Sequence, residues 1–166
     1  MKRILIVIVA VVGIETFSTQ AQRMDQNYNS ALGIKVWTRE QAGVSYKHFL
    51  AGYPNNAVEG IAYLWYNGVR FTGLYQFYLD MGAPGLKWYV GPGAHLGIYN
   101  DQYHDQYMTS GNGGAFIGID GVIGLDYKFD KAPINLSLDW QPSIEFGSAH
   151  TFQPAWGGIG LRYTFN

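Results

Sequence analysis

Two short stretches of this 166-residue chain bring together side chains that could make or break bonds. Ser148 and His150 place a hydroxyl near an imidazole, the beginnings of a nucleophile and its base, while Asp101, His104 and Asp105 could orient an imidazole or hold a cation. Both sets lie in segments rich in Gly, Ser, Asn and aromatics, where solvated polar residues are ordinary and a single His carries little information. The expectation is therefore a protein that is not an enzyme, with no catalytic residues, no metal and no cofactor. The absence of Cys removes thiol nucleophiles, Cys-ligated zinc, iron–sulfur clusters, disulfides and a bacterial lipoprotein anchor. With 11 Lys and Arg against 12 Asp and Glu, no basic stripe exists to neutralise phosphates, so no nucleic-acid partner is expected.

A third set of groups is dispersed along the chain: Lys35, Lys47, Glu59, Arg70, Gln76, Lys87, His95, Asp120, Asp126, Asp139, Gln141, Glu145 and Arg162. What unites them is the alternation in which they sit. In 134–146, Ile134, Leu136, Leu138, Trp140, Pro142, Ile144 and Phe146 fall on one face, and Asn135, Ser137, Asp139, Gln141, Ser143 and Glu145 on the other. That is period two, the signature of a strand with two unlike faces. The same test predicts eight strands near 28–37, 43–50, 57–66, 69–79, 86–98, 115–128, 134–146 and 156–165. The longest exceed the ~5–6 residues typical of soluble strands and suit the ~9–11 needed to cross a bilayer.

Connections between the strands fall into two groups. Residues 52–56, 80–85 and 130–133 form short turns at one end, whereas 100–114 and 147–155 form longer loops at the other. Asn67-Gly68 reads as a two-residue hairpin turn that sets Tyr66 opposite Val69 and Trp65 opposite Arg70. Aromatics at Trp37, Tyr66, Trp88, Tyr99, Tyr127, Trp156, Tyr163 and Phe165 lie toward strand ends, as interfacial girdles would. An open sheet edge in lipid leaves amide groups unpaired, so the sheet is expected to close. The fold class is all-β: an eight-stranded antiparallel closed transmembrane β-barrel, apolar face outward. A soluble exported barrel with the faces inverted is the competing architecture, because alternation alone does not tell inside from outside.

Residues 1–21 stand apart as a targeting segment. Lys2 and Arg3 precede an apolar run at 4–14, and Thr19-Gln20-Ala21 offers small residues at a cleavage site. The run falls short of the ~20 residues of a spanning helix, so we expect a cleavable signal peptide followed by one domain at 22–166.

Four segments carry a resemblance: Leu86-Lys87-Trp88-Tyr89-Val90-Gly91-Pro92-Gly93-Ala94-His95, residues 118–129, residues 133–142, and the ending Leu161-Arg162-Tyr163-Thr164-Phe165. They resemble small outer-membrane β-barrel proteins of Gram-negative bacteria, in the form common in Bacteroidetes. The resemblance implies fold, outer-membrane location, contact with membrane lipid and lipopolysaccharide, and recognition of the C-terminal aromatic by the barrel-assembly machinery. Here Phe165 is followed by Asn166, a departure from that ending. It transfers no catalytic residues, and His150-Thr151-Phe152 does not match the His-x-Ser arrangement of barrels that deacylate lipid A.

An eight-stranded barrel is only wide enough for side chains to fill it. Arg70, Lys87, His95, Asp120, Asp126, Asp139, Glu145 and Arg162 are therefore expected to pair across the lumen and close it. The alternative use of the same charges is a narrow porin-like channel or small-ligand conduit. Glycines at 91, 93, 97, 118, 124, 158 and 160 share the inward face and are expected to make room for neighbours such as Tyr89 and Phe116, while Pro92 and Pro142 are expected to mark bulges. Tyr103, His104, Tyr107, Phe152 and Trp156 are the expected anchors for a surface partner, since aromatics on loops commonly serve recognition. The function these features point to is structural or surface-interactive.

Overall fold

The computed structural model describes residues 28–37, 41–65, 68–99, 114–146, 151–153 and 157–165. The segment 1–21 and Tyr103, His104, Tyr107, Ser148, His150 and Trp156 lie outside the described residues. Ten strand segments follow in chain order: β1 (Ser30–Trp37), β2 (Gln41–Leu50), β3 (Tyr53–Trp65), β4 (Gly68–Ala83), β5 (Leu86–Tyr99), β6 (Gly114–Lys128), β7 (Ile134–Trp140), β8 (Ser143–Phe146), β9 (Thr151–Gln153) and β10 (Gly157–Phe165). Each pairs antiparallel with its neighbours. The β5–β6 and β1–β10 ladders complete the circle. Segments β7 and β8 make one stave and β9 and β10 another, so the protein is a closed eight-stranded barrel.

Alternation is obeyed along the strands, apart from Ser30, which is buried next to Ala31 at the start of β1. Lys35, Lys47, Arg70 and Arg162 are at most 1% exposed, whereas Ile34, Leu138 and Ile159 on the opposite face are at least 55% exposed. The polar face is inside and the apolar face outside, the reverse of a soluble core.

Five local expectations are corrected. The β3–β4 hairpin pairs Trp65 with Gly68, leaving 66–67 as its connection, and sets Leu64 opposite Val69 and Tyr63 opposite Arg70. The register thus differs by two from the one expected, which leaves both faces unchanged because side chains repeat every second residue. Pro92 causes no bulge: Gly91, Pro92 and Gly93 face Val122, Gly121 and Asp120 in unbroken order. Across Pro142 the register with β6 is kept, but on the other side Trp140 faces Gly157 and Ser143 faces Gln153, so a step of three residues faces one of four and the pairing shifts by one there. Proline removes only its own donor there, and Gly121 N–H still reaches the Pro142 carbonyl at 2.9 Å. Further register shifts occur between Phe49 and Leu50 and between Asp80 and Ala83, beside the short turns.

Trp37, expected in an outer girdle, points inward and is 3% exposed, because it shares the parity of Lys35. Phe152, expected on a loop, belongs to β9, opposite Ile144, and is 60% exposed on the outer wall. Strands β3 and β4 also run further toward the short turns than expected. Their added residues, 53–56 and 80–83, have turn-like composition and are held by pairing with neighbours rather than by alternation.

Candidate functional site

The closed barrel leaves the lumen as the place where polar groups meet. Inward side chains arrive from every stave, and several inward glycines make the space. A Cβ at Gly97 would lie 2.3 Å from the Phe116 ring, one at Gly118 would meet His95, and one at Gly124 would meet both Tyr89 and Asp139. These bear out the expectation that inward glycines relieve crowding, with Tyr89 and Phe116 among the beneficiaries.

Three tiers stack along the axis. Near the short turns, Lys47 Nζ lies 2.7 Å from Asp126 Oδ1 and donates to Tyr78 Oη at 2.5 Å. Asn135 Nδ2 donates to Asp126 Oδ2 at 2.5 Å, and Tyr28 Oη donates to the same oxygen at 3.3 Å. The Lys47 ammonium also lies over aromatic rings, its Nζ 4.9 Å from the Tyr89 ring centre. Lys87 sits half-buried at this rim, in register with Asp80 and Asp126.

The middle tier centres on Glu59 and Arg162, which are 103 residues apart and ion-paired. Ser45 donates to Glu59 Oε1 at 2.6 Å and accepts from Arg162 Nε at 2.7 Å; Gln76 Nε2 donates to Glu59 Oε2 at 2.6 Å. Arg162 Nη1 also reaches Ser137 Oγ at 2.8 Å. Beside them Lys35 Nζ meets Asp139 Oδ2 at 2.6 Å, and Tyr89 Oη donates to that oxygen at 2.5 Å. Both oxygens of Glu59 and all three guanidinium nitrogens of Arg162 are engaged, the condition under which a buried ion pair offsets its desolvation.

Nearer the loop end, Arg70 Nη2 lies 2.8 Å from Asp120 Oδ1, to which Gln141 Nε2 also donates at 3.1 Å. His95 Nδ1 stands 2.8 Å from Asp120 Oδ2 and 2.9 Å from Arg70 Nη2, so it donates to the carboxylate in one tautomer and accepts from the guanidinium in the other. Glu145 caps the cluster, 3.8 Å from Arg70 Nη1 with 22% of its side chain exposed. The Arg70 guanidinium carbon lies 5.6 Å from the Trp37 ring centre, and Trp37 packs on Tyr63 at 4.6 Å. The inward turn of Trp37 thus completes this tier.

Seven of the eight lumen residues expected to form the network, Arg70, His95, Asp120, Asp126, Asp139, Glu145 and Arg162, are joined in it, and Lys87 stands at the rim. What alternation did not single out is the neutral partners: Ser45, Tyr78, Tyr89, Asn135 and Ser137. Their inward parity was visible, but hydroxyls and amides on a strand carry no charge signal to mark them. Among the described residues, the buried lysines and arginines Lys35, Lys47, Arg70 and Arg162 face the buried carboxylates Glu59, Asp120, Asp126 and Asp139.

No protein-family model matches the chain, and no curated protein matches it in sequence. Solved structures do match in fold. The N-terminal β-barrel domain of Pseudomonas aeruginosa OprF is similar at a TM-score of 0.60 and 16% identity, over 83% of this chain and 98% of that one. Neisserial surface protein A (NspA) is similar at 0.51 and 15% identity, over 82% of this chain and 94% of that one. These likenesses carry the eight-stranded barrel fold.

Proposed function

We propose that this protein is a Gram-negative outer-membrane β-barrel, of the Bacteroidetes-like small kind, whose lumen is closed by paired charges and whose role is structural or surface-interactive. The carrying observation is the inverted distribution of polarity. Exposed Leu, Ile, Val, Phe and Tyr cover the outside of every stave, while the buried charges lie within. Water would penalise such a surface and lipid would favour it, at about 25 cal/mol for each Å² of apolar area removed from water. The short turns would face the periplasm and the long loops the exterior. A cleavable leader at 1–21 would export the chain, and the barrel-assembly machinery would insert it.

On this reading, membrane lipid and lipopolysaccharide surround the wall, and Tyr103, His104, Tyr107, Phe152 and Trp156 are the candidates for contact with a surface partner. Fractionation combined with gel mobility tests the placement. The expected result is recovery with the outer membrane and a mobility that changes on boiling; a soluble periplasmic protein with fixed mobility would overturn it.

One observation favours a conduit as the second reading. At the loop end, Tyr63 Oη, His95 Nε2, Gln141 Oε1 and Ser143 Oγ are buried without hydrogen-bond partners, as polar atoms lining a water path would be before water enters.

A further inference from the structure

Two tiers of the lumen balance charge for charge. Lys47 answers Asp126 near the short turns, and in the middle Lys35 and Arg162 answer Asp139 and Glu59. The loop-end tier does not balance. It holds two carboxylates, Asp120 and Glu145, and among the described residues one permanent cation, Arg70. The other ionisable side chains there are the imidazole of His95 on β5 and the phenol of Tyr63 on β3, which stays neutral between about pH 5 and 8.

His95 stands among all three charges, Arg70 on β4, Asp120 on β6 and Glu145 on β8. Its Nδ1 lies 2.8 Å from Asp120 Oδ2 and 2.9 Å from Arg70 Nη2, and its Nε2 lies 3.9 Å from Glu145 Oε1. A neutral imidazole cannot satisfy the three at once. With the proton on Nε2, the bare Nδ1 accepts from Arg70 but faces an oxygen of Asp120, acceptor against acceptor. With the proton on Nδ1, Asp120 is served and a bare Nε2 faces Glu145. An imidazolium donates from Nδ1 to Asp120 and turns its second N–H toward Glu145, while Arg70 keeps its own bond to Asp120 Oδ1 at 2.8 Å. Its like-charge contact with Arg70 is offset by the two carboxylates that both cations share, and the tier becomes neutral.

Glu145 is the member placed to respond. The Asp120 side chain is fully enclosed, whereas 22% of the Glu145 side chain meets solvent. Once His95 loses its proton, Glu145 is the surplus charge, and a surplus charge is costly inside and hydrated outside. Histidine is the side chain whose ordinary titration falls between about pH 5 and 8.

We propose that His95, Asp120, Arg70 and Glu145 form a proton-operated lid at the loop end of the lumen. Protonated His95 draws Glu145 in and shuts the lid; the neutral ring releases Glu145 and lets water enter. The inference rests on the reading of a lumen closed by paired charges and adds its regulation. The Glu59–Arg162 pair below involves no histidine, so the lid opens an antechamber and not a through-path.

The chain has no Cys, so Ser143→Cys supplies a single probe inside the lid, opposite Asp120 and 2% exposed in the native chain. The test is the rate at which methyl methanethiosulfonate, an uncharged reagent, modifies that thiol in detergent-folded protein at about pH 5 and pH 8. Each rate is divided by that of the urea-unfolded protein at the same pH, which removes the ionisation of the thiol itself. The corrected rate should be at least about tenfold higher at the upper pH. Adding Glu145→Gln, which balances the tier without a proton, should keep it slow at both. Adding His95→Gln should keep it fast at both and assign the step, since His48, His104 and His150 remain. Boiling-dependent gel mobility confirms that each variant has folded. A rate faster in acid, a step that survives His95→Gln, or fast labelling of Glu145→Gln at both pH values would overturn the lid. A flat rate in a barrel that does not conduct would overturn the lid and leave the sealed lumen standing. Steady conductance by the native protein at both pH values would overturn the sealed-lumen reading and the lid with it.

Discussion

Glu59 in the middle of the lumen and Asp120 nearer the loop end each face an arginine, yet their surroundings are finished differently. Around Glu59, Ser45 and Gln76 take up the carboxylate, Ser45 and Ser137 serve Arg162, and Lys35 stands 3.9 Å away as a second cation. Around Asp120 the carboxylate is equally engaged, but Tyr63, His95, Gln141 and Ser143 each keep a buried polar atom without a hydrogen bond, and Glu145 is partly open to solvent. In the middle the buried atoms without a hydrogen bond are Asp139 Oδ1 and Lys35 Nζ, and that lysine is ion-paired to the other Asp139 oxygen, which also accepts from Tyr89. The difference teaches where the barrel is locked. The Glu59–Arg162 pair of the middle tier is a fully engaged clasp, and the loop-end tier is a looser lid with more buried polar atoms left to be met by water.

The contrast is broken most severely at Glu59. Glu59→Gln leaves Arg162 and Lys35 facing one another without their shared carboxylate and should cost about 3–5 kcal/mol, measured by urea unfolding in vesicles. Asp120→Asn should cost less, about 2–3 kcal/mol, because Glu145 remains beside Arg70 and water can reach it. If the order were reversed, the clasp would belong at the loop end.

Two buried serines sharpen the comparison at smaller scale. Ser45→Ala removes a hydroxyl engaged with two charged groups and should cost about 1.5–2 kcal/mol. Ser143→Ala removes a hydroxyl with no partner, at 2% exposure, and should change stability by less than about 0.5 kcal/mol or raise it slightly. Equal losses in the same unfolding assay would show that the two tiers are equally satisfied.

Alternation carried the strands and gathered the charges on one face, because one face of each strand had to be apolar; strand length and the need to close a sheet in lipid put that face inside. It did not carry who pairs with whom. Arg162 and Glu59 lie 103 residues apart and meet only once closure fixes the stagger of the staves, a quantity no local pattern encodes. The hairpin register slipped by two for a related reason: Asn67-Gly68 is a sound turn signal, but cross-strand packing chose the connection one residue earlier. Trp37 shows the limit of composition. A tryptophan at a strand end resembles a girdle residue, and parity with Lys35 was the better guide. Phe152 gave no strand signal because β9 is only three residues long.

Conductance in planar bilayers tests the central claim, a lumen sealed by the Glu59–Arg162 clasp, most directly. The account predicts no steady single-channel steps from the native protein, and steps that emerge when Arg162→Ala opens the middle tier. Steady steps from the native protein that Arg162→Ala or Asp139→Ala abolishes would contradict it and make the same charges the walls of a conduit.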